Sequence, residues 1–182
     1  MPSDPSCSAA VNTVKTSNYK MTKNVTLGLP GFPQAIRYQA GVLIPQAWSR
    51  VQVEGPTGYM TEEFDIFYTI NLTTGVVTLR PSSPCSPTTA CGRAYDDPPI
   101  FVTAGGTHAM GAFSKRPPEG KYVQFNFDLH NDANNTTKWT MPFVNNNVPA
   151  NTWLSYEAFL CVGTLDDVAK CMVGLAKAVG AV

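Results

Sequence analysis

Four polar side chains alternate with four apolar ones between residues 123 and 130. In a β-strand such residues point to opposite faces and recur about every 6.8 Å on each face, so the polar set would form one row of amide, carboxylate and imidazole groups. This chemistry suits sugar hydroxyls, although the solvated outer face of an antiparallel sheet is the commoner origin of such a pattern. The predicted ligand-binding row consists of Gln124, Asn126, Asp128 and His130.

A histidine in a glycine-rich turn is the second candidate. His108 follows Gly105 and Gly106 in "GGTHAMGAFS", and a histidine can act as acid, base or hydrogen-bond donor at physiological pH. Paired with Glu63 or Asp128 it could catalyse sugar chemistry, since glycosidic and hemiacetal centres react by acid and base catalysis. The simpler interpretation is a hairpin in which the histidine bonds to a neighbouring strand.

Three aromatic side chains could stack on the apolar face of a sugar ring. Tyr59 stands beside a turn in "EGPTGYM", while Trp139 and Trp153 lie on predicted strands. Because large aromatic residues dominate protein cores, both tryptophans are expected in the interior. Tyr59 is therefore the aromatic candidate for ligand contact, together with His108.

The sequence also argues against several function classes. It contains no nucleophile elbow, zinc-protease motif, phosphate loop, dinucleotide-binding glycine pattern or C-x-x-C pair, and no metal or cofactor is expected. Thirteen basic residues balance thirteen acidic ones and only 14% of residues are charged, so the chain lacks the basic footprint of a nucleic-acid-binding protein. No apolar run approaches the roughly 20 residues of a membrane-spanning helix.

The cysteines and the N-x-[ST] pattern favour a secreted, extracellular glycoprotein. Two pairs close in sequence could form disulfides, Cys85 with Cys91 and Cys161 with Cys171, which leaves Cys7 over. The competing interpretation is an intracellular protein with buried, reduced thiols. The asparagines that match the glycosylation pattern are Asn24, Asn71, Asn134 and Asn135.

Short alternating segments separated by Pro and Gly predict a mostly β fold. Thr164 can cap a helix at 165–179 that has one broad apolar face. Many strands followed by one helix indicate an antiparallel β-sandwich with a C-terminal α-helix, forming one domain over residues 21–182 after an N-terminal arm of residues 1–20. Strands are expected at 34–44, 48–54, 64–70, 76–80, 100–103, 108–114, 123–130, 137–144 and 152–163, with a proline-rich loop at 81–99.

The segments "VEGPTGYMTEEFDIFYTINLTTGVVTL", "GGTHAMGAFS", "KW" and "VGTLDDV" resemble the C-terminal part of a poorly characterised β-rich family. That family is similar to the supersandwich architecture of galactose mutarotase-like proteins, many of which handle sugars. Over about residues 50–170, the resemblance implies a supersandwich-like fold, as a reduced version or one lobe, and a leaning toward carbohydrates. It transfers no catalytic residue, because mutarotase-type catalysis would need more than the two histidines present.

These observations predict a secreted, non-enzymatic β-sandwich that binds glycans or helps build an extracellular assembly. Its partners would be a glycan or other extracellular protein chains, including copies of itself in a homo-oligomer. A sheet edge could add a strand from a neighbouring chain, and the N-terminal arm with Cys7 could provide that strand. The alternative is a sugar-active enzyme, an epimerase, lyase or hydrolase, that uses His108 and a carboxylate. The enzyme requires these side chains to converge in one pocket, whereas the binding module does not.

Overall fold

A computed structural model describes residues 18–81, 92–127 and 136–182. Its strands form two antiparallel sheets, and a helix follows the last strand, which confirms the predicted mostly β, sandwich-like fold. The strands are β1 (Lys20–Leu29), β2 (Phe32–Ile44), β3 (Trp48–Thr61), β4 (Ile66–Ile70), β5 (Val77–Arg80), β6 (Gly92–Tyr95), β7 (Pro99–Val102), β8 (Ala109–Ser114), β9 (Tyr122–Phe127), β10 (Thr136–Val148) and β11 (Thr152–Gly163); the helix is α1 (Leu165–Ala178).

The two sheets and the helix form three layers. The seven-stranded sheet has the order β1-β2-β11-β8-β7-β4-β5 and the four-stranded sheet the order β3-β10-β9-β6. Helix α1 packs on one face of the larger sheet, over β11, β8, β2 and β7. The four-stranded sheet packs on the other face, where its β3 lies over β11 and β2 and its β9 over β7.

Helix α1 begins where the sequence predicts. The Thr164 hydroxyl accepts a hydrogen bond from the backbone N–H of Asp167 at 3.2 Å and donates one to its carboxylate at 2.6 Å, so the cap satisfies a free backbone donor of the first turn. The disulfide between Cys161 and Cys171 ties β11 to the helix, which confirms one of the two predicted pairs. Cys85 and Cys91 lie outside the described residues.

Several predicted boundaries are wrong: the sequence does not predict strand β1, and β10 continues past residue 144 to Val148. Strand β3 continues past residue 54 to Thr61 because the whole segment pairs with β10. The proline-rich loop predicted at 81–99 contains strand β6 at Gly92–Tyr95 and the start of β7. The four residues of β6 include no proline, so they can pair with β9.

Candidate functional site

The structure places the predicted polar row inside the molecule. Gln124 is 4% exposed and Asn126 is 5% exposed. These two side chains therefore form neither a solvated outer face nor an accessible ligand-binding row. Tyr122 has the same parity, and its buried hydroxyl contacts Ser114 across the interior; burial raises the pKa of this phenol. Because successive residues of a strand alternate, the position of Tyr122 turns Gln124 and Asn126 inward. Asp128 and His130 lie outside the described residues.

The opposite side of β9 faces outward and is covered by a lysine. Phe125 is directly opposite Lys138, which is directly opposite Tyr59 on β3. The Lys138 ammonium lies 5.1 Å from the centre of the Phe125 ring and 5.5 Å from that of Tyr59. Such cation–π contacts and the lysine stem cover apolar surface, so an apolar row can stand on the outer face. Tyr59 is exposed here, on the outer face of the four-stranded sheet.

His108 and Glu63 of the enzymatic alternative stand apart from each other, and its other carboxylate, Asp128, lies outside the described residues. His108 is exposed before β8 and its Nδ1 contacts the Thr107 hydroxyl at 3.1 Å. Glu63 is fully exposed after β3, and a hydrogen bond from the Thr61 side chain lowers the pKa of its carboxyl. In the described part of the chain, no hydrogen bond or ion pair joins His108 to Glu63.

A different set of polar side chains meets on the outer face of the seven-stranded sheet. Asn24 on β1 is directly opposite Gln39 on β2, which is directly opposite Glu157 on β11. Directly opposed residues of antiparallel strands share a face and have Cβ atoms about 5 Å apart. Three strands therefore bring three hydrogen-bonding side chains into one transverse row beside α1.

This row forms part of an open groove of about 480 Å³. A parallel row runs next to it, in which Thr22, Gly41 and Ser155 are directly opposed. The residues around the groove are Thr22, Lys23, Asn24, Arg37, Gln39, Ala40, Gly41, Ser155, Tyr156 and Glu157. Its size falls within the range of about 300–1,000 Å³ that is usual for small-molecule sites.

Glu157 is held in place by two neighbours on β2. Its Oε1 accepts a hydrogen bond from Arg37 Nε at 2.6 Å and another from Gln39 Nε2 at 3.3 Å. The Arg37 and Glu157 side chains are 41% and 20% exposed, so both remain accessible from the groove. Charge-assisted hydrogen bonds of this kind fix the orientation of a carboxylate.

Trp153 does not line the groove itself, but its ring lies next to the groove residue Gly41. The structure corrects the expected core position of this residue, because its side chain is 48% exposed, whereas Trp139 is buried. A Cβ atom on Gly41 would lie 3.5 Å from the Trp153 ring and 2.7 Å from the Thr22 hydroxyl. The glycine therefore lets the indole and the threonine approach the strand closely.

A second, mainly apolar groove of about 380 Å³ adjoins the first and shares Arg37 and Glu157 with it. It lies between the β1–β2 turn and the last turns of α1. Lys115, which follows β8, stands at its edge, and the Lys115 backbone N–H donates to the Glu157 carbonyl at 3.0 Å. The remaining residues around it are Leu29, Pro30, Phe32, Phe159, Leu175, Ala178 and Val179.

The predicted glycosylation positions differ in their surroundings. Asn24 is exposed on β1 and lines the groove. The side-chain Oδ1 of Asn71 accepts hydrogen bonds from the backbone N–H groups of Thr73 and Thr74 at 3.1 and 2.9 Å. The Asn71 side chain therefore stabilises the β4–β5 turn. Asn134 and Asn135 lie outside the described residues.

No protein-family model matches this chain, and no curated protein matches its sequence. The described residues contain no helix with the length and apolar composition needed to cross a membrane, and among them no cluster of three or more His, Cys, Asp or Glu side chains could hold a metal ion.

Proposed function

We propose that this protein is a non-enzymatic carbohydrate-binding module whose ligand occupies the groove formed by β1, β2 and β11. The observation that carries the proposal is the transverse row Asn24–Gln39–Glu157. The half-exposed indole of Trp153 lies next to Gly41 of the adjacent row. An aromatic ring provides a flat apolar surface, and planar polar side chains provide directional hydrogen bonds next to it. A sugar ring needs both, because it has an apolar C–H face and a rim of hydroxyls.

The polar side chains match the hydrogen-bonding capacity of sugar hydroxyls. Each hydroxyl both donates and accepts, and the Asn24 and Gln39 amides each offer donors and an acceptor. Arg37 supplies donors only and Glu157 supplies acceptors only. Because Arg37 and Gln39 already orient Glu157, little conformational entropy is lost when a ligand binds to the carboxylate.

The groove favours binding over hydrolysis of a glycosidic bond. Hydrolysis by the usual retaining and inverting mechanisms takes two carboxyl groups that flank the bond. Glu157 is the one carboxylate among the residues around the groove, and its Oε1 is engaged by Arg37. An extracellular location fits this function, since the Cys161–Cys171 disulfide is typical of oxidising compartments.

The experiment is a glycan-array screen of the oxidised protein, followed by calorimetric titration with the best ligand. We expect Trp153→Ala and Gln39→Ala each to weaken binding by at least about ten-fold, the equivalent of 1.4 kcal/mol. Trp48→Ala and Gln52→Ala are matched controls, because both residues are exposed on β3, in the other sheet. These controls should bind as the unmodified protein does.

Two results would overturn the proposal. One is the absence of binding to any glycan by protein whose circular dichroism and thermal unfolding show a native fold. The other is binding that the Trp153 and Gln39 variants retain, which would move the site elsewhere. A third variant, Glu157→Gln, keeps the shape of the side chain and replaces one acceptor oxygen, so weaker binding by this variant without loss of stability would support direct contact.

A further inference from the structure

Strand β1 and its apolar side chains are left uncovered by the other layers. The four-stranded sheet reaches β11 and β2 through its edge strand β3, and the helix packs on β2 and the strands beyond it. Apart from its hydrogen-bonded neighbour β2, no described element packs extensively on β1. The outer edge of β1 is the end of the seven-stranded sheet, with no further strand from the described residues beside it.

Large apolar side chains are concentrated on this strand. Met21, Val25 and Leu27 are 74%, 44% and 76% exposed. They have the same parity, so they lie on the face opposite the groove in one row, which Lys23 interrupts between Met21 and Val25. Their directly opposed partners on β2 are the apolar residues Val42, Tyr38 and Ile36, which extend the row into a patch. Contiguous apolar patches on a protein surface mark interaction sites.

We propose that two copies of this protein associate through antiparallel pairing of β1 with β1 of the second copy, around a twofold axis at Asn24. An unpaired edge offers a row of backbone donors and acceptors to another strand. The pairing would join two seven-stranded sheets into one continuous sheet. It would also bring the apolar rows of both copies together, and it uses the same surface twice, as a twofold-symmetric interface must.

The sequence of β1 is self-complementary about Asn24. In this register Met21 stands opposite Leu27 of the second copy, and Thr22 stands opposite Thr26. Apolar residues therefore meet on one face and hydroxyls meet on the other, and both kinds of cross-strand pair are favourable.

The two lysines of β1 do not oppose the association. Lys23 stands opposite Val25 of the second copy and Lys20 stands opposite Gly28, so no two lysines face each other. The Lys23 ammonium lies over the Tyr38 ring of its own chain, 5.9 Å from the ring centre. The positive charge of Lys23 therefore lies over β2 and not at the outer edge of β1.

The proposed dimer would also bring two ligand grooves together. Thr22, Lys23 and Asn24 line the groove, so the twofold axis would place the grooves of two copies side by side on one face of the joined sheet. A dimer would then present two sites to one extended or surface-bound ligand, and linked sites bind with an avidity well above the affinity of either. The association itself does not depend on ligand binding.

The test uses a charge pair that is specific for this register. Thr22→Glu with Thr26→Glu places like charges opposite each other twice in the dimer, which is destabilising. Thr22→Glu with Thr26→Lys instead places opposite charges together at the same positions. Both threonines are exposed on the polar face of β1, so neither double variant disturbs the core.

Molar mass is measured by light scattering over a dilution series of the full chain. We expect the unmodified protein and the Glu/Lys variant to have twice the chain mass of 19.6 kDa, and the Glu/Glu variant to dissociate at a concentration at least about ten-fold higher. A monomeric unmodified protein at every concentration would overturn the proposal. Equal dimerisation of both double variants would overturn it as well, because β1 would then lie outside the interface.

Discussion

Thr137 and Thr140 lie on the same strand, three residues apart, and both are buried, but only one of their hydroxyls has a partner. The Thr140 hydroxyl donates to the Glu54 carboxylate at 3.2 Å and lies 2.6 Å from the Thr57 hydroxyl. The Thr137 hydroxyl has no hydrogen-bond partner, and neither has Trp139 Nε1. A buried polar group without a partner costs free energy that its bonded counterpart does not.

The same substitution should therefore affect the free energy of unfolding differently at these two positions. Thr140→Val removes a bonded hydroxyl and leaves Glu54 with one donor fewer, so we expect the free energy of unfolding to fall by about 1–2 kcal/mol. Thr137→Val replaces an unbonded hydroxyl by a methyl group and should leave that free energy unchanged or raise it by up to about 1 kcal/mol. Urea denaturation of both variants measures the difference. Equal losses would show that Thr137 has a partner in solution.

The disulfide should contribute more to stability than any single hydrogen bond of the fold. It joins residues ten positions apart, and closing a loop of that size in the unfolded chain corresponds to about 2–3 kcal/mol in the chain-entropy account. We expect this loss in the Cys161→Ala, Cys171→Ala double variant, measured by urea denaturation under oxidising conditions. Comparison with the unmodified protein under the same conditions isolates this bridge, because the other cysteines are unchanged. Coincident unfolding curves would contradict the prediction.

The helix cap should make stability depend on pH in the acid range. The Thr164 side chain and backbone both form hydrogen bonds that lower the pKa of Asp167 below its ordinary value of 3.8. As the pH falls, the unfolded chain therefore takes up the proton first. The contribution of this carboxylate is present above pH 3.8 and is lost as the pH falls through the lower pKa of the folded state.

NMR titration of the Asp167 carboxyl carbon checks this prediction. We expect a midpoint below 3.8 in the unmodified protein and a higher midpoint in Thr164→Val, which keeps the side-chain shape without the hydroxyl. Asp167→Asn should abolish the corresponding part of the stability change with pH. An unchanged midpoint in Thr164→Val would show that the cap does not cause the shift.

The sequence predicts those parts of the fold that depend on local patterns. The C-terminal helix has its cap and its apolar face within 15 consecutive residues, 164–178. The alternation of Ile36, Tyr38 and Ala40 likewise identifies β2, because strand periodicity involves neighbours only two residues apart. The disulfide from β11 to α1 could be predicted for the same reason.

The site could not be predicted because it depends on which strands are adjacent. Arg37 and Glu157 form their ion pair although they are 120 residues apart in the sequence, and nothing local indicates that β11 pairs with β2. The polar face of β9 shows a second limit of prediction from the sequence. Alternation places Gln124 and Phe125 on opposite faces of β9, but it does not determine which of the two faces points inward. Here the choice depends on where Tyr122 lies and on Lys138, which covers Phe125.

The two predictions made for Asn24 cannot both hold in the same molecule. Asn24 is an N-x-[ST] acceptor with Thr26, and it also lies in the proposed sugar groove and at the proposed twofold axis. A glycan attached to this amide would occupy the groove and separate two β1 strands. Protein made in cells that glycosylate Asn24 should therefore bind glycans more weakly, and dimerise less, than protein made in bacteria.

The Thr26→Val variant provides the control. It removes the acceptor pattern but keeps the Asn24 side chain, so this variant should behave alike from both sources. Mass spectrometry of the peptide that contains Asn24 establishes whether the modification is present. The contradicting result is a glycosylated Asn24 in protein whose ligand binding and molar mass match those of the bacterial protein. Neither the ligand nor the second copy would then lie beside Asn24, so both the ligand site and the twofold axis would have to be elsewhere.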